Sequence, residues 1–279
     1  MGKIAALTMV RNDDFFLGKW TSYYGKLLGP ENLHIYFDGE DQHVPDFTAG
    51  CNVTVIPRVF GNVRVSDKLR IDILSAKAAE LLKDYSMIIG TDVDEFLAVD
   101  PALGMTLPEF LLLQDVKGRN SLSGLGCDII CDSSDVSPLD DSRTLLSQRR
   151  SALLSTRYTK TSVLCAPVQW GSGFHRTRKG DFHICEGLFL FHFGCADPSI
   201  IGQKQSDADL VSRGWQRHLN KRRRLIDSIP ELEFRDWDEW TRKARKLQGC
   251  VRQPYIWNKP AMFNIKVKVL VPERFSSLV

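Results

Sequence analysis

The sequence predicts an α/β fold, a Rossmann-like mixed sheet flanked by helices and continued by a helical C-terminal extension. Three observations support that prediction. Short apolar runs bounded by turn residues alternate with stretches of helical period over about the first hundred residues. The order of those runs reads β-α-β-β-α-β. Three of the runs end on polar or acidic residues, where open sheets of this kind bind ligands beyond the carboxyl ends of their strands.

"KIAALTMV" reads as a buried strand and leads into a helix over "NDDFFLGKWTSYYGKLLGP". Asn12 or Asp13 caps that helix, Phe16, Trp20, Tyr23, Tyr24 and Leu27 form its apolar face, and Gly29-Pro30 stops it. "NLHIYFDG" and "NVTVIPRV" follow as strands. Ser66 opens a second helix with Ile71, Leu74, Ala78 and Leu81 on its buried face, and "SMIIGTD" is the fourth strand. In the less regular middle, "SLSGLGCDIICD" and "TKTSVLCAPV" read as strands, "GSGFHRTRKGD" as a Gly-rich polar loop, and "EGLFLFHFG" as a short apolar strand ending in a histidine. From Ser206 the pattern turns helical, a second helical piece runs near Trp237 to Leu247, and "FNIKVKVLVP" alternates like an edge strand.

With 279 residues, 43% of them apolar and 25% charged, the chain has the composition of an ordinary globular protein able to bury a core. A net charge of +3 is too small to imply nucleic acid, and no recognition motif accompanies the basic residues between Lys204 and Lys268. The block "NKRRRL", with Trp215, Trp237 and Trp240, reads first as a solvated helix face. Its second reading is peripheral contact of this basic C-terminal helix with anionic lipid at the inner face of the membrane. The seven cysteines are odd in number and scattered, and "MGKIAALTMVRND" has no run long enough for a signal peptide or a span, so a reduced, cytoplasmic chain is expected. Cys127-x-x-x-Cys131 lacks a second Cys/His pair at zinc-finger spacing and reads as buried thiols.

The chemistry concentrates in "YSMIIGTDVDEFLAVD". An apolar run leads directly into Asp92, Asp94 and Glu95, and carboxylates delivered by a buried strand call for a cation. In an extended segment residues two apart project to one side, so Asp92 and Asp94 can both reach one ion while Val93 points into the core and Glu95 points away. The other reading of these acids is that they cap a following helix or pair with basic residues on the surface. Hard oxygen ligands suit Mn²⁺ or Mg²⁺, with positions left for water and phosphate oxygens. His192, at the exit of the "GLFLF" run, is the third protein ligand expected, its other reading being a core histidine bonded to a backbone carbonyl. His175, flanked by Arg176 and Arg178, suits a diphosphate or an acceptor better than a metal dication.

"LTMVRNDDFFLGKWTSYYGKLLGPENLHIYFDGEDQ" followed by "MIIGTDVDEFLAV" resembles the family-2-like and family-92-like glycosyltransferases of GT-A fold, and the later "GFHR" and "LFLFHF" resemble their "G-x-H" and "HY" segments. Asp13 stands where those families usually have Glu, Tyr24 where a His is frequent, and Gly39-Glu40-Asp41-Gln42 in place of a Ser-Thr-Asp run. The resemblance implies that Arg11 and Asp38 lie against the nucleoside and that Asp92 and Asp94 lie near the ribose and the metal, with Asp94 the more direct ligand. Read from the residues alone, Arg11 can instead pair with Asp13 or Asp14, and Asp38-Gly39 is also an ordinary turn.

The expected function is metal-dependent transfer of a hexose from a nucleotide-sugar donor, UDP-linked, to a carbohydrate or lipid-linked acceptor. Residues 1–200 form the catalytic GT-A-like domain and 201–279 a helical extension with a closing strand. If transfer inverts the anomeric centre, a carboxylate must take the acceptor's proton, and Asp181, Glu186 and Asp197 are the acids in the right region. A sugar nucleotidyltransferase is the alternative enzyme, although "MVRNDD" lacks its Gly-rich loop with Lys or Arg. A non-catalytic carbohydrate-binding relative is the alternative from another class.

Overall fold

Ile4–Val10 forms β1, and all seven of its residues are buried because a helix covers each face. Ile4, Ala6 and Val10 belong to the core that contains Phe16, Leu17, Trp20 and Tyr24 of α1 (Asp14–Leu28). Ala5, Leu7 and Met9 belong to the core that contains Ile71, Leu74 and Ala78 of α2 (Val63–Leu81). The period-two alternation of a strand thus divides one continuous apolar run between two layers. The computed structural model describes residues 2–132, 137–179, 182–197, 199, 202, 220, 231–250, 258 and 267–279.

β1 lies between β2 (Leu33–Asp38) and β4 (Met87–Gly90), parallel to both, and β3 (Asn52–Ile56) is parallel beyond β2. The order β3-β2-β1-β4 is half of a doubly wound sheet and sets the carboxyl ends of β1, β2 and β4 along one edge. Past β4 the sheet becomes mixed. β8 (Val163–Leu164) runs antiparallel to β4 and joins it to β6 (Ser121–Ile130). β6 also pairs antiparallel with β7 (Ser151–Leu154) and parallel with β9 (Ile184–Cys195), and β9 pairs antiparallel with β5 (Glu95–Val99). β11 (Val267–Leu270) lies antiparallel to β7. It was expected at the edge, but β10 (Phe234–Arg235) pairs outside it.

The α/β architecture, a mixed sheet flanked by helices, is the one the sequence predicts. Differences have local causes. α2 starts three residues before Ser66, because the Asn62 side chain accepts from Val65 N at 3.1 Å while the Ser66 hydroxyl donates to the Gly61 carbonyl at 3.0 Å. In "TKTSVLCAPV" only Val163–Leu164 is a strand. The short helices α3 (Leu107–Leu112) and α4 (Leu145–Gln148) were not anticipated. Near the C-terminus, α5 (Trp237–Cys250) brings Trp237 within 5.0 Å of the Phe189 ring. Arg274 forks onto Asp100 at 2.7 and 2.8 Å, which ties the end of the chain to the end of β5. The boundary expected at residue 200 and the helix expected from Ser206, with Trp215 and most of "NKRRRL", lie outside the described residues. Among the described residues, no helix is long and apolar enough to cross a membrane.

The buried segment Tyr158–Ser162, between β7 and β8, lies directly on β6. Gly126 N donates to Thr159 Oγ1 at 2.9 Å, and a Cβ at Gly126 would overlap the backbone of Tyr158 and Thr159. Gly126→Ala is therefore expected to destabilise the protein by about 3 kcal/mol, since backbone rather than a mobile side chain must yield. Urea unfolding checks this, and a loss under about 0.5 kcal/mol would mean that the contact is soft.

Candidate functional site

After Gly90 the chain does not remain extended. Glu95 N donates to the Asp92 carbonyl at 3.1 Å, closing a turn over Asp92–Glu95 before β5 begins. α1 and β1 fix the chain on either side of this turn. Trp20 Nε1 donates to Thr91 Oγ1 at 2.9 Å, the Thr8 hydroxyl donates to the Thr91 carbonyl at 2.8 Å, and the Tyr24 hydroxyl accepts from Leu97 N at 2.8 Å. Each is a buried polar contact that would be costly to leave unmade.

The turn redistributes the three acids. Asp92 accepts from Arg70 Nη1 at 2.6 Å and from Lys160 Nζ at 3.1 Å. Burial alone would raise its carboxyl, but these two cations outweigh that effect and hold it well below the usual carboxylate range. Asp94 instead faces His192, with Oδ2 at 3.5 Å from Nε2. Glu95 does not point away as the alternation predicted. It starts β5 directly opposite His192 of β9, and its Oε1 lies 2.6 Å from Lys160 Nζ. The alternation argument assumes an extended backbone, and the turn removes that condition. Burial pushes Glu95 up to about 7 against the pull of Lys160.

His192 was expected at the exit of its strand but lies inside β9, which continues to Cys195. It is in register with Glu95 on one side and with Asp128 of β6 on the other, so the three side chains form a row across three strands. His192 Nδ1 is 2.6 Å from Asp128 Oδ1, and the Tyr158 ring stacks on the imidazole at 3.7 Å. Burial disfavours a charged His192, but Asp94 and Asp128 outweigh it and raise its pKa. When neutral, with Nδ1–H donated to Asp128, the ring turns its Nε2 lone pair toward Asp94.

Asp94, Glu95 and His192 each offer a ligand atom, and the three atoms lie within 4.8 Å of one another. Two carboxylates and an imidazole suit Mn²⁺ better than Mg²⁺, which favours an all-oxygen shell. Asp92 is outside this group and already bears two cations.

The structure places the other predicted residues as follows. Arg11 forks onto Asp41 at 2.9 and 2.7 Å and donates to the Asp38 carbonyl at 2.7 Å, rather than pairing with Asp13 or Asp14. Asp38 Oδ1 accepts from Val59 N at 2.6 Å, which binds the end of β2 to the loop after β3. Gly39, at φ +123°, has no space for a Cβ beside Arg11 and Asp41. His175 follows a tight turn in which Gly173 and Phe174 have φ of 58° and 60°. Burial, helped by nearby Lys160, lowers His175 to about 3, so its ring is neutral. Arg176 is exposed.

Two of the three acids expected as a base are engaged elsewhere. Glu186 is exposed and pairs with Arg245 of α5 at 2.8 Å, about 20 Å along β9 from His192. Asp197 is buried and accepts from Leu139 N, Ser199 N and Ser199 Oγ at 2.9, 2.8 and 2.7 Å, the pattern of a turn cap. Asp181 lies outside the described residues. The sequence reading missed Lys160, Arg70, Asp128 and Tyr158. Asp128 had a usable signal, an acid inside the apolar run "GCDII", whereas Lys160 in "TKTSV" gave none.

No model of a known protein family matches the chain, and no curated protein matches it. Among solved structures, the chain is similar to a mannose-1-phosphate geranyltransferase from Thermus thermophilus, at 11% identity and a TM-score of 0.28, over 98% of this chain and 76% of that one.

Asp92→Asn is expected to cost about 2 kcal/mol at neutral pH, because Arg70 loses a charged partner while Asn keeps an acceptor. The depressed Asp92 pKa contributes stability above about pH 4, its unfolded value, and that contribution fades as pH falls further. Urea midpoints of parent and variant should therefore converge below pH 4, and a gap that widens there would refute the assignment.

Proposed function

We propose that this chain is a metal-dependent glycosyltransferase that moves a hexose from a nucleotide-sugar donor, UDP-linked, to a carbohydrate or lipid-linked acceptor on the cytoplasmic side. The observation that supports this reading most is the convergence of Asp94, Glu95 and His192 within 4.8 Å, beside the carboxyl ends of parallel strands in a half of a doubly wound sheet.

In this reading Asp94, Glu95 and His192 hold Mn²⁺ or Mg²⁺. The cation supplies neutralisation of the diphosphate leaving group as the bond from C1 to oxygen breaks. Asp128 fixes the His192 proton on Nδ1, and Tyr158 holds the ring plane. Arg70 and Lys160 keep Asp92 ionised and oriented. Arg11 and Asp38, on the rim formed by the ends of β1 and β2, orient the nucleoside, and neutral His175 donates or accepts at the opposite wall without adding charge.

Calorimetry of UDP binding with and without Mn²⁺ tests the reading. The parent is expected to bind UDP more tightly with Mn²⁺. Asp94→Asn and His192→Ala should each lose that dependence, with affinity in Mn²⁺ falling on the order of a hundredfold while the fold remains intact. Equal Mn²⁺ dependence in parent and variants would remove the metal assignment. UDP affinity that ignores Mn²⁺ in the parent would remove the function.

A further inference from the structure

Lys160 is only 3% exposed, yet its ammonium lies 2.6 Å from Glu95 Oε1 and 3.1 Å from Asp92 Oδ2. Its backbone has little freedom to retreat. Gly126 N donates to Thr159 Oγ1 at 2.9 Å, Thr161 N to the Phe174 carbonyl at 3.0 Å, and Gly90 N to the Ser162 carbonyl at 2.7 Å. The Tyr158 and Phe174 rings each lie 5.9 Å from Nζ, so aromatic faces rather than water bound it on those sides. Its partner Glu95 is also one of the three residues whose ligand atoms converge. One carboxylate is thus claimed by a fixed internal cation and is offered to a mobile divalent one.

From this geometry we infer that Lys160 is a positioning residue that acts as the resident cation of the site. It holds Glu95 and Asp92 together when no metal is bound, and it competes with the divalent ion for Glu95, which keeps metal binding weak and exchangeable. The inference rests on the metal-site reading given above. Without Lys160, the carboxylates of Asp92, Asp94 and Glu95 would crowd one turn with Arg70 as the remaining fixed cation beside Asp92. With it, the turn folds before any metal arrives. The cost is Coulombic: a dication that enters the Asp94, Glu95 and His192 group meets a like charge at hydrogen-bond distance from one of its own ligands, in a setting screened less than the surface.

The test is calorimetric titration of MnCl₂ into the full chain without nucleotide, for the parent, Lys160→Met and Lys160→Arg. Lys160→Met is expected to bind Mn²⁺ roughly tenfold more tightly or better, and Lys160→Arg, which keeps the charge, to stay within about threefold of the parent. A gain in affinity is a readout that loss of a purely structural residue would not produce. A folded Lys160→Met with unchanged or weaker Mn²⁺ binding overturns the inference while leaving the metal site standing. A parent that binds no Mn²⁺ overturns the metal site and the inference with it. Lys160→Gln, which retains a donor toward Glu95 and removes only the charge, covers a Met variant that fails to fold. If either variant folds only when Mn²⁺ is added, the metal has replaced the ammonium, as inferred. If both stay unfolded with Mn²⁺ present, Lys160 is structural and the inference fails.

Discussion

Asp92, Asp94 and Glu95 can share one turn because Lys160 and Arg70 stand among them. Neighbouring carboxylates in a largely buried turn repel, and desolvation adds to the cost unless cations and donors offset it. Much of the surrounding architecture brings those cations in. α2 presents Arg70, and the segment between β7 and β8 runs over Gly126 to deliver Lys160. The tight turn at Gly173 and Phe174 closes the wall beside them, with the Phe174 ring 5.4 Å from the Arg70 guanidinium. Gly90 is bare because Trp170 occupies the place a Cβ would take.

Two halves of the fold meet at this turn. The parallel half, β3-β2-β1-β4, ends there, and α1 fixes it with Trp20 and Tyr24. The mixed half begins there with β5 and contributes the row Glu95, His192 and Asp128 across β5, β9 and β6. A row of ionisable side chains on adjacent strands is unusual in a core, since each needs a partner. Here each has one: Lys160 for Glu95, Asp94 and Asp128 for His192. The outcome is a set of polar atoms fixed by strand register and aimed by a turn, an arrangement stiffer than a loop-borne one and therefore suited to hold one geometry.

Legibility in the sequence followed the length scale of each signal. β1, α1, β2 and β4 were readable because continuous apolar runs and caps such as Asp13 and Gly29 are local. Asp94 and His192 are each attached to a buried strand, as the apolar runs beside them suggest, although His192 lies within its strand rather than at its end. Glu95 was misread because a period-two argument was carried through a turn that only the Glu95-to-Asp92 backbone bond reveals. Lys160 was invisible for a different reason. Its burial depends on a glycine on β6, far away in sequence, that lets one backbone lie on another. No composition or periodicity around "YTKTS" encodes that contact. Glu186 and Asp197 were plausible by position, and their tertiary partners, Arg245 for one and three donors for the other, have no local signal in the sequence.

Asp94, Glu95 and His192 are proposed to hold one divalent cation where the two halves meet. Anomalous diffraction from crystals grown with MnCl₂ and UDP tests it most directly. One manganese peak per chain is expected, about 2.2 Å from a carboxylate oxygen of Asp94, one of Glu95 and Nε2 of His192. A manganese peak that excludes His192, or no peak at millimolar manganese, would contradict it.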